Sequence, residues 1–247
     1  MKTMSFQKIM LLIIGVVVGL GAATMVVAQP QGVITYEVKI NMHRTLPKER
    51  EEMKNMIPEF RTSIQELYFN EKESLYKPLE DDEEDMETQN GGVHIRMRQP
   101  KVKTYVNTET MAMVTQQDFM GKDYLIEDTL KILPWKFGTE VKTLMGKECK
   151  QAFYHNEQNK QDVVAWYTSA FRPSLGPELF GSLPGTILEI NINDGERIVT
   201  AKSLDAHALK KNELKVPKDG TKITRQTFRR MADERMRTNG GNVIIRN

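Results

Sequence analysis

The sequence predicts a mainly β protein: a single curved antiparallel meander sheet, shaped as a half-barrel or a sandwich, with a short N-terminal helix and a C-terminal helix. The first observation is a succession of short segments in which apolar and polar residues alternate, separated by polar turns. The second is the scarcity of helical crossovers, because strands joined by tight turns pair antiparallel. The apolar face of such a sheet needs a cover, and we expect the two helices to lie against its concave side.

Residues 1–28 have the features of a signal peptide. Lys2 and Lys8 precede an uncharged run that extends from Ile9 to Ala28, and small residues stand before a cut at Ala28–Gln29. The sequence therefore predicts an exported protein of the periplasm, or one associated with the outer membrane. Because about 20 apolar residues can also cross a bilayer, an uncleaved membrane anchor is the alternative.

The charge balance excludes some classes of protein. The chain has 247 residues and a formal net charge of +2, and the two lysines of the signal segment account for this excess. A neutral mature chain is not expected to bind nucleic acid. Residues 206–247 carry 11 Lys and Arg against 4 Asp and Glu, so the basic tail is expected to meet the acidic part of its own chain or an anionic surface. Cys149 is the only cysteine, which excludes an internal disulfide.

The β-strands are predicted from alternation with a period of two. The first lies at 33–42, where Ile34, Tyr36 and Val38 alternate with polar residues. Asn193-Asp194-Gly195 predicts a hairpin turn between two further strands, at 188–192 and 197–204. The remaining strands are predicted at 61–69, 72–77, 93–98, 102–108, 111–119, 123–128, 140–155 and 161–169.

Two helices are predicted near the ends of the mature chain. The first lies at about 47–56, with Thr45 as its cap and Pro58 as its stop. The second begins after Thr224 and places four apolar residues on one face, namely Phe228, Met231, Ala232 and Met236.

No domain boundary is evident within the mature chain, so residues 29–237 are predicted to form a single β-rich domain followed by a short tail at 238–247. Within this domain the acidic stretch 79–91 is predicted to be a mobile loop, because its carboxylates favour solvent.

The most distinctive segment is 165–188, AWYTSAFRPSLGPELFGSLPGTIL. Its residues Ser182 to Ile187 match four of the six positions of the motif Gly-Leu-Pro-Gly-Leu-Ile, with Ser182 and Thr186 as the departures. The chain therefore resembles the GLPGLI family, exported bacterial proteins without an established biochemical role. The resemblance extends over roughly 32–235 and is supported, in chain order, by Pro134-Trp135, Gly146 to Cys149, Ala165 to Thr168 and Gly176-Pro177.

The motif is interpreted as a structural turn. Proline presets one backbone angle and glycine supplies a conformation that other residues avoid, while Leu183 and Ile187 dock the turn onto the core. The alternative is that 176–186 forms a lip over a ligand pocket. The candidate ligand-binding or motif residues are Trp135, Trp166, Tyr167, Gly176, Pro177, Leu183, Pro184, Gly185 and Ile187.

Catalytic and metal-binding patterns are weak. Cys149 and His155 are too far apart on one strand for contact, and Ser182 lacks the G-x-S-x-G context of esterases. Met111 and Met113 would place two thioethers on one strand face, a geometry that suits Cu(I), although methionine also fills cores. No cofactor is predicted.

The sequence therefore favours a non-enzymatic binding or structural protein of the cell envelope. Its concave sheet face would receive an apolar, lipid-like ligand or an envelope protein, and the membrane is involved only if the signal segment stays uncleaved. An envelope hydrolase and a periplasmic copper-handling protein are the alternatives.

Overall fold

The computed structural model describes residues 31–46, 48–79, 86–90, 93–97, 101–171 and 175–238. The predicted signal peptide and most of the predicted C-terminal tail lie outside the described residues. No helix within these ranges combines the length and the hydropathy needed to span a bilayer.

The described residues are mainly β, which confirms the predicted fold class. Three helical segments accompany the strands: α1 (Met42–Thr45), a 3-10 helix (Lys48–Asn55) and α2 (Arg225–Thr238). The strands are β1 (Gly32–Asn41), β2 (Phe60–Phe69), β3 (Glu73–Pro78), β4 (Met86–Asn90), β5 (Val93–Met97), β6 (Val102–Asn107), β7 (Ala112–Phe119), β8 (Lys122–Thr129), β9 (Lys136–Leu144), β10 (Lys147–Asn156), β11 (Gln161–Thr168), β12 (Thr186–Ile192), β13 (Arg197–Ala206) and β14 (Thr221–Ile223).

Twelve of the strands form one open sheet in the order β14-β8-β7-β6-β3-β2-β1-β13-β12-β11-β10-β9. The order contains two meanders, one from β1 to β8 and one from β9 to β13, and the β1–β13 pairing joins them. The strands β4 and β5, which lie between β3 and β6 in the sequence, pair with each other in a separate two-stranded sheet. All pairings in the large sheet are antiparallel except that of β14 with β8.

The connection from β8 to β9 requires the sheet to curl. These strands lie ten positions apart in the sheet, which is about 48 Å if the sheet were flat. Only residues 130–135 connect them, and a chain of that length reaches about 25 Å at most. The ends of the sheet must therefore approach each other. Arg229 Nη1 on α2 donates to Gln158 Oε1 in the β10–β11 turn at 2.7 Å, which links the two ends directly.

The predicted alternation in β1 is confirmed, because Ile34, Tyr36 and Val38 are buried while the residues between them are partly exposed. The predicted strand at 140–155 is wrong as one element. Met145 and Gly146 adopt φ values of 49° and 69° and form a tight turn, so β9 and β10 pair as a hairpin.

The acidic stretch predicted as a loop is partly β. Residues 86–90 form β4 and pair with β5, while 80–85 lie outside the described residues.

The predicted helix at 47–56 is confirmed as the 3-10 helix Lys48–Asn55, but its predicted cap is wrong. The helix α1 begins earlier, after Asn41, whose side-chain oxygen accepts a hydrogen bond from the Arg44 backbone N–H at 3.1 Å. Thr45 caps nothing, since its hydroxyl donates to the Met42 carbonyl. The following segment offers too few apolar residues to bury a helical face, and it forms a 3-10 helix instead.

The C-terminal helix α2 agrees with the prediction. The Thr224 hydroxyl accepts a hydrogen bond from the Thr227 backbone N–H at 3.1 Å, as an N-cap residue does. Phe228 and Ala232 are buried, and the Phe228 ring packs against Phe119 and Tyr124.

The cover of the inner sheet face differs from the expectation. The helix α2 covers β7 and β8, where Phe228 joins Phe119 and Ile126 in a small apolar cluster. The larger cluster around β1 and β10–β13 is covered instead by residues 175–185, an irregular segment that we name the motif segment. Among the described residues, neither α1 nor the 3-10 helix contributes a side chain to either apolar cluster.

Candidate functional site

The motif segment packs inside the curve of the sheet. Leu183 is 1% exposed, and Leu175 and Ile187 are buried in the same apolar cluster as Tyr36. The Tyr36 hydroxyl donates a hydrogen bond to the Ile187 carbonyl at 2.7 Å. The interior of the sheet is therefore occupied by the protein's own chain at this position.

Two glycines of the motif segment allow close packing of backbone. A Cβ atom on Gly185 would lie 2.2 Å from the Thr168 carbonyl oxygen. One on Gly176 would lie 2.4 Å from the Phe180 carbonyl oxygen and 2.7 Å from Ile187 Cδ1. These glycines are needed because no side chain fits at either position.

Trp135 and the β8–β9 connection hold the motif segment from the other side. The Trp135 Nε1–H donates to the Gly181 carbonyl at 2.8 Å, and its ring lies 6.4 Å from that of Phe180. The Ser182 hydroxyl accepts a hydrogen bond from the Leu133 backbone N–H at 3.2 Å. The structure thus brings together Trp135, Gly176, Pro177 and the residues from Leu183 through Ile187.

Trp166 and Tyr167 face different surroundings. Tyr167 is buried in the apolar cluster, and its ring lies 6.3 Å from the exposed ring of Phe137. Trp166 lies beneath the Lys142 ammonium, which is 4.4 Å from the ring centroid and 2.6 Å from Glu189 Oε1. Trp166 is partly buried and packs against the same apolar cluster as Tyr167.

A charged pair fixes the motif segment to β13. Glu178 adopts a φ of 57° and forms an ion pair with Arg197, and both side chains are largely buried. The edge of the Tyr76 ring lies against Tyr36, and among the described residues the buried Tyr76 hydroxyl has no hydrogen-bond partner. Burial raises the pKa of both tyrosines above the ordinary value.

Sequence reasoning did not single out Arg197 or Glu178. The sequence did hold a signal for the buried position of Arg197. It lies two residues before Val199 and four before Ala201 on the same strand, so the three side chains share one buried face. A charged residue on a buried face requires a charged partner. Its partner is 19 residues earlier in an irregular segment, which alternation cannot predict.

The candidate nucleophiles lack catalytic partners among the described residues. Burial raises the pKa of the Cys149 thiol, which donates to the Lys147 carbonyl at 3.6 Å. His155 bonds to Asp162 and His207 to Glu213, rather than to Cys149 or Ser182. Within the described ranges, no three His, Cys, Asp or Glu side chains converge as a metal site would require.

The predicted geometry for copper is wrong. Met111 adopts a φ of 57° in the turn before β7, whereas Met113 is buried within β7. The two thioethers therefore do not share a strand face.

The mouth of the inner face contains two adjoining clefts. The larger has a volume of about 410 Å³ and is lined by Phe69, Phe171, Leu204, Ala170, Ala206, Ser169 and Gln31. The smaller has a volume of about 270 Å³ and is lined by Gln31, Asn70, Glu71, Lys72 and Glu73. Gln31 belongs to both, so the clefts meet at the start of β1.

The strand β9 forms an uncovered edge of the sheet. It pairs only with β10 among the described residues, and Phe137 and Val141 are 63% and 59% exposed. Ile132, just before the strand, is 77% exposed. Exposed apolar residues along one edge mark a surface suited to another protein.

Comparisons with known proteins support the fold. Two structures of a protein called PNGF-II, in the C2 and P21 space groups, superpose with TM-scores of 0.56 and 0.54 at 18% and 17% identity. Each comparison covers 83% of this chain but only 32% and 33% of PNGF-II, so this chain spans about a third of its length. Identity at this level shows a shared fold alone.

A comparison with curated proteins found no match. A family model described as "Protein of unknown function (Porph_ging)" matches residues 48–189, which is more than half of the chain and includes the motif segment. The chain belongs to this family of proteins of unknown function.

Proposed function

We propose that this chain is an exported, non-enzymatic protein of the GLPGLI type that binds another protein of the cell envelope. The uncharged run before Gln29 supports export with cleavage near Ala28–Gln29. The partial match of Ser182 to Ile187 supports the GLPGLI assignment, and the family of unknown function is compatible with it.

One observation carries the choice of a protein partner over a ligand enclosed by the sheet. The motif segment fills the inner face, with Leu183 in the apolar cluster and Glu178 paired with Arg197. A ligand would have to displace this packed core. The edge strand β9, in contrast, is uncovered and exposes the apolar side chains of Phe137 and Val141.

The geometry of β9 favours the addition of an extended segment. In a two-residue hairpin the residues that flank the turn bond to each other, so Leu144 and Lys142 use their backbone groups toward β10. Val141 and Thr143 then direct their backbone groups away from the sheet. A partner strand would bond to these groups and contact the exposed Val141 side chain.

The edge carries a charge preference as well. Lys142 is paired with Glu189, but Lys136, Lys147 and Lys150 still outnumber the two carboxylates of β9 and β10, Glu140 and Glu148. We therefore expect a partner segment that alternates apolar with acidic residues.

Export is tested by measuring the intact mass of the protein isolated from the envelope fraction of cells that express the full-length chain. The expected mass lacks residues 1–28. An intact N-terminus in the membrane fraction would instead establish the anchor.

Partner binding is tested by placing a photo-crosslinking residue at Val141 in living cells. Val216, an exposed valine outside the sheet, is the matched control position. The proposal expects one discrete adduct from position 141 and none from 216, and Thr143→Pro should weaken the adduct because a proline cannot donate. No adduct at 141, or equal adducts at both positions, would contradict the proposal.

A further inference from the structure

We propose that the two clefts at the mouth of the sheet form one binding site for a single-chain amphiphile with a protonated amine. The apolar chain occupies the larger cleft, and the ammonium lies near Glu71. This site is separate from the β9 edge, so it does not depend on the proposed protein partner.

The larger cleft is suited to an apolar chain. Its volume of about 410 Å³ falls in the range of small-molecule sites, and most of its lining is apolar. Leu204 on β13 and Phe171 in the loop after β11 line the cleft, and Phe69 on β2, which is 4% exposed, forms part of its wall. Burial of an alkyl chain against the accessible apolar side chains favours binding, because it removes apolar surface from water.

The smaller cleft supplies polar groups beside the apolar one. Most of them already form hydrogen bonds within the protein. The Asn70 side-chain oxygen accepts hydrogen bonds from the backbone N–H groups of Lys72 and Glu73. The Glu73 carboxylate accepts from the Tyr105 hydroxyl and from Asn70 Nδ2. Glu71 is exposed at the rim, where an incoming head group would meet it.

The charge around the smaller cleft selects a cation. The Lys72 ammonium lies 2.8 Å from Glu109 Oε1, and this pair is neutral as a whole. Glu71 and Glu73 therefore leave an excess of negative charge. The cation Lys147 lies 5.6 Å from the centroid of the Phe171 ring, which lines the larger cleft. An amphiphile with an ammonium head is thus attracted toward Glu71 and repelled from the Phe171 side.

The test compares two probes that have the same chain and opposite charge, dodecylamine and dodecanoate, by isothermal titration calorimetry at pH 7 below their micellar concentrations. The protein is the exported product of the full-length sequence, purified without detergent. We expect dodecylamine to bind about tenfold more tightly than dodecanoate. Glu71→Gln should remove most of this preference without abolishing binding of either probe.

The position of the chain is tested by filling the cleft. Ala206 and Ala170 are exposed cleft residues, and Ala208 is an exposed alanine outside the lining, so the matched variants are Ala206→Trp, Ala170→Trp and Ala208→Trp. The first two should abolish dodecylamine binding and the third should not, with circular dichroism confirming that each variant folds. Equal affinity for the two probes, or undiminished binding in both cleft variants, would overturn the proposal.

Discussion

The substitution Leu183→Ala distinguishes a structural motif segment from a movable lip. Leu183 is 1% exposed and packs in the same apolar cluster as Ile187 and Tyr36. If the segment is part of the core, removal of this side chain must destabilise the whole domain. If it were a lip that opens over a pocket, the same change would affect only local opening.

The magnitude follows from the atoms removed. The substitution deletes three carbon atoms, and the lost transfer free energy is about 2.4 kcal/mol at about 0.8 kcal/mol for each. The cavity that remains in a rigid core raises the loss to about 3–4 kcal/mol. The control Ile132→Ala removes an apolar side chain that is 77% exposed, and it should change the free energy of unfolding by less than about 0.5 kcal/mol.

Urea denaturation followed by tryptophan fluorescence measures both variants. With a slope of about 3 kcal/mol per molar urea, Leu183→Ala should lower the midpoint by about 1 M, and Ile132→Ala should leave it nearly unchanged. The signal is informative because Trp135 Nε1 bonds to Gly181 within the same segment. Equal midpoints for Leu183→Ala and Ile132→Ala would refute the assignment of the motif segment to the core.

Three further predictions concern buried polar groups. Glu178→Ala should reduce the free energy of unfolding by about 3 kcal/mol in urea titrations, because it leaves the Arg197 guanidinium in the core without this carboxylate. An unchanged urea midpoint would contradict a stabilising role of this ion pair. Burial raises the pKa of Tyr36 above its ordinary value of about 10, so the unfolded chain ionises first and stability should fall as the pH rises above about 10. Urea midpoints between pH 8 and 11.5 measure this loss, and Tyr36→Phe should make the profile less steep, while Tyr76, whose pKa burial also raises, keeps part of the slope. Cys149 should react with a thiol reagent only as the protein unfolds, since its thiol is buried and has a raised pKa; rapid labelling of the native protein would contradict that placement.

The local parts of the fold were predictable from the sequence. Alternation located β1 because one face of that strand is buried and the other is not. The helix α2 was predictable because Thr224 caps it and Phe228 with Ala232 forms a buried stripe. The β9–β10 turn was missed, because Met145 in a left-handed conformation gives no signal in a single sequence and the lone Gly146 is a weak one.

The long-range parts were not predictable. Nothing in the composition of 130–135 indicates that this connection crosses between distant strands of the sheet. The docking of Leu183 and Ile187 was inferred correctly from their apolar character, but the bond from Trp135 to Gly181 joins residues 46 positions apart. The clefts near Gln31 also depend on three separate strands and a loop, and only the folded chain brings them together.

The pairing of β1 with β13 has a consequence for the order of events during synthesis. Val38 lies opposite Val199, which is 161 residues later in the chain. The first meander can assemble early, but one side of β1 has no neighbour until almost the whole polypeptide has been made. Contacts of such separation slow folding, and an unpaired apolar strand invites aggregation while it waits. The seam in the middle of the finished sheet therefore closes late, with only the short β14 still to be added, and a nascent chain needs protection at Ile34, Tyr36 and Val38 until then.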